Sequence, residues 1–363
     1  MIYFDQNEWE KLNQSKSPEE IMDLISARIV RNKIPFPYEV ISNKQAIEDF
    51  EKLKENDPLF CVKKGKWETK MEYPGLKRMG YFLSRDNLGK KASNRFTQKV
   101  RLSTDHRLLK CGVRAWNEPE SHRSMLAPLW TISKVKALTP DSLRRTIQLR
   151  KYAAAQFRPS AARGIYEMFG GGDVLDFSSG WGDRLVGALA SPNVTSYTGV
   201  DPNDQLHPCY KKLVTLLRPL AANKGINVKL LKNKAESVDY GKSMFDVVFT
   251  SPPYLRTEKY AGDDSSWRNF KNEEQWLNGF LFPAISKAYH HLRNGGFMII
   301  NIADLFNRGS RFVLCKPMVD YVRKELGGTF EGQIGYEMSK TIGRHVSRPD
   351  GTYCEPMFVF RKV

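Results

Sequence analysis

Val174-Leu175-Asp176-Phe177-Ser178-Ser179-Gly180-Trp181-Gly182-Asp183-Arg184-Leu185 reads as an apolar strand ending in an acid, then a glycine-containing turn, then the start of a helix. In an open parallel sheet such a turn lies at the carboxyl end of a strand, where these sheets bind ligands. Gly180 and Gly182 lack a Cβ, so the backbone there can come close to a bound molecule. A lone Gly-x-Gly also serves plain tight turns, and its meaning rests on its surroundings.

Outward from this stretch, β-branched and aromatic runs at 173–177, 196–200, 227–231, 245–250 and 297–302 alternate with helical patterns at 184–189, 206–222, 273–292 and 312–326. That alternation predicts an α/β fold, a doubly wound parallel sheet with helices on both faces. Residues 329–335 and 356–361 are expected to pair as an antiparallel hairpin at the sheet edge. Upstream, Ser17-Pro18-Glu19-Glu20 is an N-cap with proline in the first turn, followed by Ile21, Leu24, Ile25 and Ile29 at helical spacing. A second helix is expected over 46–56. Between Phe60 and Leu109, short apolar pieces alternate with Lys, Arg and Gly, and Trp67, Tyr73, Tyr81, Phe82 and Phe96 are interleaved. The segments expected are a helical lead (1–60), a basic, partly β module (61–150) and the α/β domain (151–363).

The chain of 363 residues carries a net charge of +17, unevenly spread. Residues 61–160 hold 23 basic and 7 acidic side chains, a net +16, whereas residues 1–60 are net −4. A polyanion such as nucleic acid is the partner this stretch suggests, with Arg144 and Arg145 as candidate phosphate contacts; a solvated basic surface is the plainer alternative. Cys61, Cys111, Cys209, Cys315 and Cys354 are scattered without a C-x-x-C pair, and the six histidines show no ligand spacing, so free thiols and no metal are expected. No apolar run approaches the roughly 20 residues that span a bilayer. The start, Met1 to Glu8, lacks the basic and apolar parts of a secretory signal. An intracellular protein without a membrane partner is expected, and its oligomeric state stays open.

About twenty residues past the glycine turn, Tyr197-Thr198-Gly199-Val200-Asp201-Pro202 is a second strand ending in a carboxylate. From that position an acid accepts both ribose hydroxyls of a nucleoside. A Gly-x-Gly-x-x-Gly pyrophosphate cradle is missing, which points to a nucleoside cofactor without phosphates. Asn233-Lys234-Ala235-Glu236 follows the third strand, where an adenine edge would be met, with Glu236 as the candidate. Next, Phe245-Asp246-Val247-Val248-Phe249-Thr250 runs straight into Ser251-Pro252-Pro253-Tyr254. The two prolines fix φ and remove amide donors, leaving carbonyls in a rigid direction. An exocyclic amine needs acceptors for its hydrogens so that its lone pair faces the incoming carbon. Ser251 and the Pro252 carbonyl can supply them, and Tyr254 offers a ring for stacking.

Asp176-x-x-x-Gly180-x-Gly182, Asp201 and Ser251-Pro252-Pro253-Tyr254 together resemble the motifs of the DNA amino-methyltransferases, which use S-adenosylmethionine to methylate cytosine N4 or adenine N6. The resemblance covers about residues 150–363. It implies a Rossmann-like class I methyltransferase fold, with Asp201 on the ribose, the turn around Gly180 and Gly182 lining the methionine portion, and Asp176, Ser178 and Thr250 as further cofactor-binding residues. Phe157-Arg158-Pro159-Ser160 is similar to the segment that closes over that portion, adding Phe157 and Arg158. Serine at the first position of the catalytic motif is associated with cytosine; adenine N6 is the alternative. An RNA amino-methyltransferase and a catalytically silent nucleic-acid binder are the other readings. The sequence departs from common members in leaving no room for a recognition domain after Asp201 or at the C-terminus, which assigns recognition to 61–150 or to the insertion 255–275.

Overall fold

The computed structural model describes residues 2–69, 73, 75–133, 135–255, 258–260, 269–307, 310–338 and 352–363. In chain order the described strands are β1 (Val62–Lys64), β2 (Trp67–Glu68), β3 (Arg78–Leu83), β4 (Asp105–His106), β5 (Gly172–Asp176), β6 (Val194–Val200) and β7 (Asn227–Leu231). They continue with β8 (Phe245–Thr250), β9 (Glu258–Lys259), β10 (Leu292–Asn301), β11 (Leu305–Asn307), β12 (Ser310–Phe312), β13 (Thr329–Glu337) and β14 (Thr352–Arg361). The chain divides into two interleaved units. One comprises Met1–Ile41, Gln98–Ala155 and Thr257–Ala261; the other comprises Ser42–Thr97, Gln156–Arg256 and Gly262–Val363.

The first unit is mainly helical. In helix Pro18–Arg31, Ser17 accepts the Glu20 amide while the Glu20 carboxylate accepts the Ser17 amide, a reciprocal cap that satisfies two donors at the helix start. Ile21, Ile25 and Ile29 share one face of it and join a core with Trp9, Trp116, Leu126, Leu138 and Leu143. Strand β4 pairs antiparallel with β9, and the half-buried Glu258 accepts the hydroxyls of Tyr152 and Tyr260. Burial raises the Glu258 pKa above the ordinary value, against the pull of those two hydroxyls. Thus 258–260, part of the predicted insertion, is built into this unit; 256–257 and 261–268 lie outside the described residues.

The second unit carries the sheet, ordered β1-β3-β13-β14-β10-β8-β5-β6-β7, with β2 beside β14. Strands β7, β6, β5, β8 and β10 are parallel neighbours, and β14 is antiparallel to both β10 and β13. This is the doubly wound α/β fold of the class I methyltransferase type. Alternating side chains feed two cores. Leu175, Val248, Met298 and Ile300 face helices Phe282–His290 and Cys315–Lys324, whereas Val174, Val247, Phe249 and Ile299 face helices Pro159–Met168 and Asp183–Leu189.

Two expectations change. The terminal hairpin does form, but it is not the edge: β13 pairs parallel with β3, and β1 pairs beyond it. The reading of 1–60, 61–150 and 151–363 as consecutive segments also differs from the observed division. Phe50 and Leu53 of helix Asn43–Glu55 enter the sheet's core, and β1 to β3 extend the sheet itself. Helix Lys90–Leu102 was not anticipated from its charge-rich text. The helical pattern at 273–292 is interrupted by a π-helical turn, Leu277–Leu281, just before Pro283, whose missing N–H and ring prevent a regular turn.

The helices Pro159–Met168 and Asp183–Leu189 touch through Gly187, where a Cβ would stand 2.7 Å from both Ala162 Cβ and the Pro159 carbonyl oxygen. Gly187→Ala is expected to destabilise the protein by about 1–3 kcal/mol through overpacking. Urea unfolding measures this, and an unchanged midpoint would contradict the close approach.

Candidate active site

Strand β5 ends at Asp176, whose carboxylate is completely buried. It accepts Arg184 Nε at 2.8 Å, Arg184 Nη2 at 3.2 Å, the Tyr197 hydroxyl at 2.7 Å, Thr250 Oγ1 at 3.0 Å and the Ser178 amide at 3.2 Å. Arg184 also donates to the Ser178 carbonyl. Burial opposes the Arg184 charge, yet Asp176 holds the guanidinium pKa above its usual value. Burial, reinforced by the Asp176 charge, pushes the Tyr197 hydroxyl well above its ordinary pKa. Asp176 and Thr250, both assigned to a cofactor by resemblance, therefore spend these bonds within the protein.

The turn that follows is set by two left-handed glycines, Gly180 at φ +56° and Gly182 at φ +80°. Their surroundings differ. Among the described residues, a Cβ on Gly180 would meet only the Ser178 carbonyl oxygen, at 3.8 Å, so the backbone faces open space there. A Cβ on Gly182 would stand at ordinary contact distance, 3.4 to 3.6 Å, from Leu213 and Tyr210 of helix His207–Leu217, so the left-handed backbone is what calls for glycine there. Ser178 is half-exposed at the lip of the turn, and Ser179 is buried with its amide on the Val200 carbonyl at 3.0 Å.

Asp201 stands just past β6. Its carboxylate accepts the Gly180 amide and the Asn203 amide, each at 2.9 Å, and its carbonyl is bonded to His207 Nε2 at 2.8 Å. The Tyr210 hydroxyl donates to the Gly180 carbonyl, closing the turn from the other side. Burial lifts the Asp201 pKa to about 6, although both amides and His207 pull it down. The donors in hand do not offset its desolvation. Asn203, His207 and Tyr210 were not singled out in the sequence, because nothing in their spacing shows that a later helix folds back onto Gly180.

Strand β8 delivers Thr250 to Asp176 and then releases Ser251-Pro252-Pro253-Tyr254. Ser251 is half-exposed and its hydroxyl makes no hydrogen bond among the described residues; Pro252 is buried. Pro253 and Tyr254 are half-buried, and the Tyr254 hydroxyl lies between the Glu355 carboxylate and the Ala303 amide. Phe157 stacks on Tyr336 with ring centroids 4.6 Å apart and meets Phe249 edge-on at 5.6 Å, while the Arg184 guanidinium lies 5.5 Å from its ring. Phe157 thus joins the surroundings of the Asp176–Arg184 pair. Arg158 does not follow it: the guanidinium sits 3.7 Å over the Tyr336 ring and donates to the carbonyls of Leu83 and Glu337. Arg158 ties β3 to β13. Glu236 is half-buried in the turn after β7, next to Lys234, whose carbonyl accepts the Ser237 and Val238 amides.

Among the described residues, no cluster of three or more His, Cys, Asp or Glu side chains is arranged to hold a metal ion, and no helix is long and apolar enough to cross a membrane. No family model matches the chain, and no curated protein matches its sequence at a significant level. Its backbone is similar to several solved structures at low identity. A putative rRNA methylase from Clostridium thermocellum is 18% identical with a TM-score of 0.35, covering 58% of this chain and 100% of that one. TrmN from Thermus thermophilus is 13% identical with a TM-score of 0.38, covering 56% and 49%. NSun6 from Pyrococcus horikoshii with SFG is 16% identical with a TM-score of 0.36, covering 58% and 53%. These are likenesses of backbone alone, and the fold is read from strand order and register.

Replacing Asp176 by Asn keeps its shape but leaves the buried Arg184 charge without its counter-ion. Asp176→Asn is expected to cost about 3–5 kcal/mol of folding stability. A loss below about 1 kcal/mol by chemical denaturation would show that the pair does not hold the turn.

Proposed function

We propose that the chain is an S-adenosylmethionine-dependent methyltransferase acting on the exocyclic amine of a nucleic-acid base, with cytosine N4 of DNA as the substrate. The observation that carries this reading is the double use of Asp176. One carboxylate anchors the glycine turn through Ser178 and Arg184, and anchors the Ser-Pro-Pro-Tyr loop through Thr250. A nucleoside-binding turn and an amine-binding loop are thereby held in one rigid frame at the switch point of the sheet.

The residues fit the cofactor. Gly180 leaves open space over its backbone, and Asp201 is a buried carboxylate short of donors. S-adenosylmethionine, when bound, supplies an electrophilic sulfonium methyl. The protein's part is to orient the acceptor. Ser251 and the Pro252 carbonyl accept the amine hydrogens, which turns the nitrogen lone pair toward the methyl without prior deprotonation. Tyr254 stacks on the base, and within duplex DNA the base must leave the stack to reach this loop.

A basic surface supports the polyanion. Lys91, Arg95 and Lys99 are exposed four residues apart along helix Lys90–Leu102, hence on one face. Arg144 is withdrawn from such a role, since it is pinned by Asp141 and the Pro37 carbonyl, whereas Arg145 remains exposed beside Asp141.

The test is incubation with labelled S-adenosylmethionine and unmethylated DNA or RNA, followed by digestion and mass identification of the labelled nucleoside. N4-methylcytosine in DNA is expected. N6-methyladenine would keep the class and reverse the base, label in RNA alone would overturn the DNA substrate, and cofactor binding without label would favour a silent binder.

Cofactor affinity should also depend on pH. Ionised, the Asp201 carboxylate offers both oxygens as strong acceptors, and protonation turns one of them into a donor, so affinity is full above its pKa of about 6 and falls as pH drops through it. Calorimetric titration between about pH 5 and pH 8 is expected to show this fall and Asp201→Asn to flatten it. A wild-type profile already flat would remove Asp201 from the ribose.

A further inference from the structure

Tyr254 is held by a residue from the far end of the chain. The Ala303 amide donates to the Tyr254 hydroxyl oxygen at 3.1 Å, so the hydroxyl's own proton goes to the Glu355 carboxylate. The buried Asn301 donates its side-chain amide to the neighbouring Pro356 carbonyl at 3.3 Å and helps to hold the Glu355 pKa down. Glu355 lies on β14 opposite Tyr336, and Asn301 is the last residue of β10. The loop after β8 is thereby tied to β14 through position 355.

That geometry selects a carboxylate. An ionised carboxylate offers two acceptor oxygens and no donor, whereas an amide offers one oxygen and a competing NH2. Burial works against the charge and raises the Glu355 pKa, with the bonds from Tyr254 and Asn301 and the Arg158 charge acting the other way. An ionisable group kept in so unfavourable a place must be matched by its partners, and here the partner is the aromatic residue of the amine-binding loop.

We propose that Glu355 is a positioning residue for methyl transfer, acting through the Tyr254 hydroxyl to fix the angle of the ring on which the target base stacks. This rests on the amine-methylation reading above. Its hydroxyl being committed on both sides, Tyr254 offers the base a ring face and no hydrogen bond. Ring orientation then sets where the amine meets Ser251 and Pro252, so a loosened ring lowers turnover with little effect on cofactor binding.

The experiment compares Glu355→Gln, Glu355→Asp, Tyr254→Phe and the double variant Glu355→Gln with Tyr254→Phe. It measures kcat and KM for the nucleic acid, cofactor affinity, and stability by denaturation. Loss of a charge-assisted bond predicts a kcat lowered about tenfold or more in Glu355→Gln, with cofactor affinity unchanged within about twofold. The double variant should be no slower than Tyr254→Phe, because both changes remove one interaction. Glu355→Asp keeps both acceptor oxygens and should recover part of the rate. Additive losses in the double variant, or normal turnover in a folded Glu355→Gln, would overturn the inference while the function stands. A wild type silent on every nucleic acid would overturn both.

Discussion

The carboxyl ends of the central strands depend on one buried carboxylate. Asp176 closes β5, and it is bonded to Arg184 at the head of the following helix, to Tyr197 on the neighbouring β6 and to Thr250 at the end of β8 on its other side. A charge so deeply placed is tolerable only when its oxygens are fully engaged, and that requirement makes the turn after β5 and the loop after β8 a single construction. Removing either loop's contact would leave an unpaired buried group, so neither can drift without cost.

Around that hub the acids divide their work by the donors available to them. Asp176 spends its oxygens on Arg184, Tyr197, Thr250 and the Ser178 amide. Asp201 has two backbone amides, and burial still raises its pKa. Glu355 accepts a tyrosine hydroxyl and belongs to the loop after β8 rather than to the turn after β5. The same side-chain chemistry thus serves three ends, distinguished by who donates to it.

The two glycines of the motif separate in the same manner. Both adopt left-handed backbone, but the Cβ position of Gly180 faces open space among the described residues while that of Gly182 lies in ordinary contact with helix His207–Leu217. The basic stretch does not fold as a module of its own either. Its first strands extend the sheet, its helix Lys90–Leu102 presents a lysine and arginine face, and β4 pairs with β9, only a few residues downstream of Tyr254. Charge count alone carries no record of pairing, so this rearrangement had no signal in the composition.

Local patterns were sufficient wherever the governing physics is local. The strands 227–231 and 245–250 fall where their β-branched runs placed them, the helix after Ser17 begins at its cap, and the alternation of strand and helix determined the doubly wound fold. The sequence by itself also determined which loops leave the carboxyl ends of β5, β6 and β8, because strand direction follows from that alternation. Only the tertiary structure decided what each polar residue in those loops touches. Arg158 turned away to Tyr336 and Glu337, Asp176 and Thr250 bonded to each other, and Glu355 arrived beneath Tyr254 from a hundred residues later. Hydrogen-bond partners of buried groups are set by packing between segments distant in the chain, and no spacing in the sequence encodes that distance.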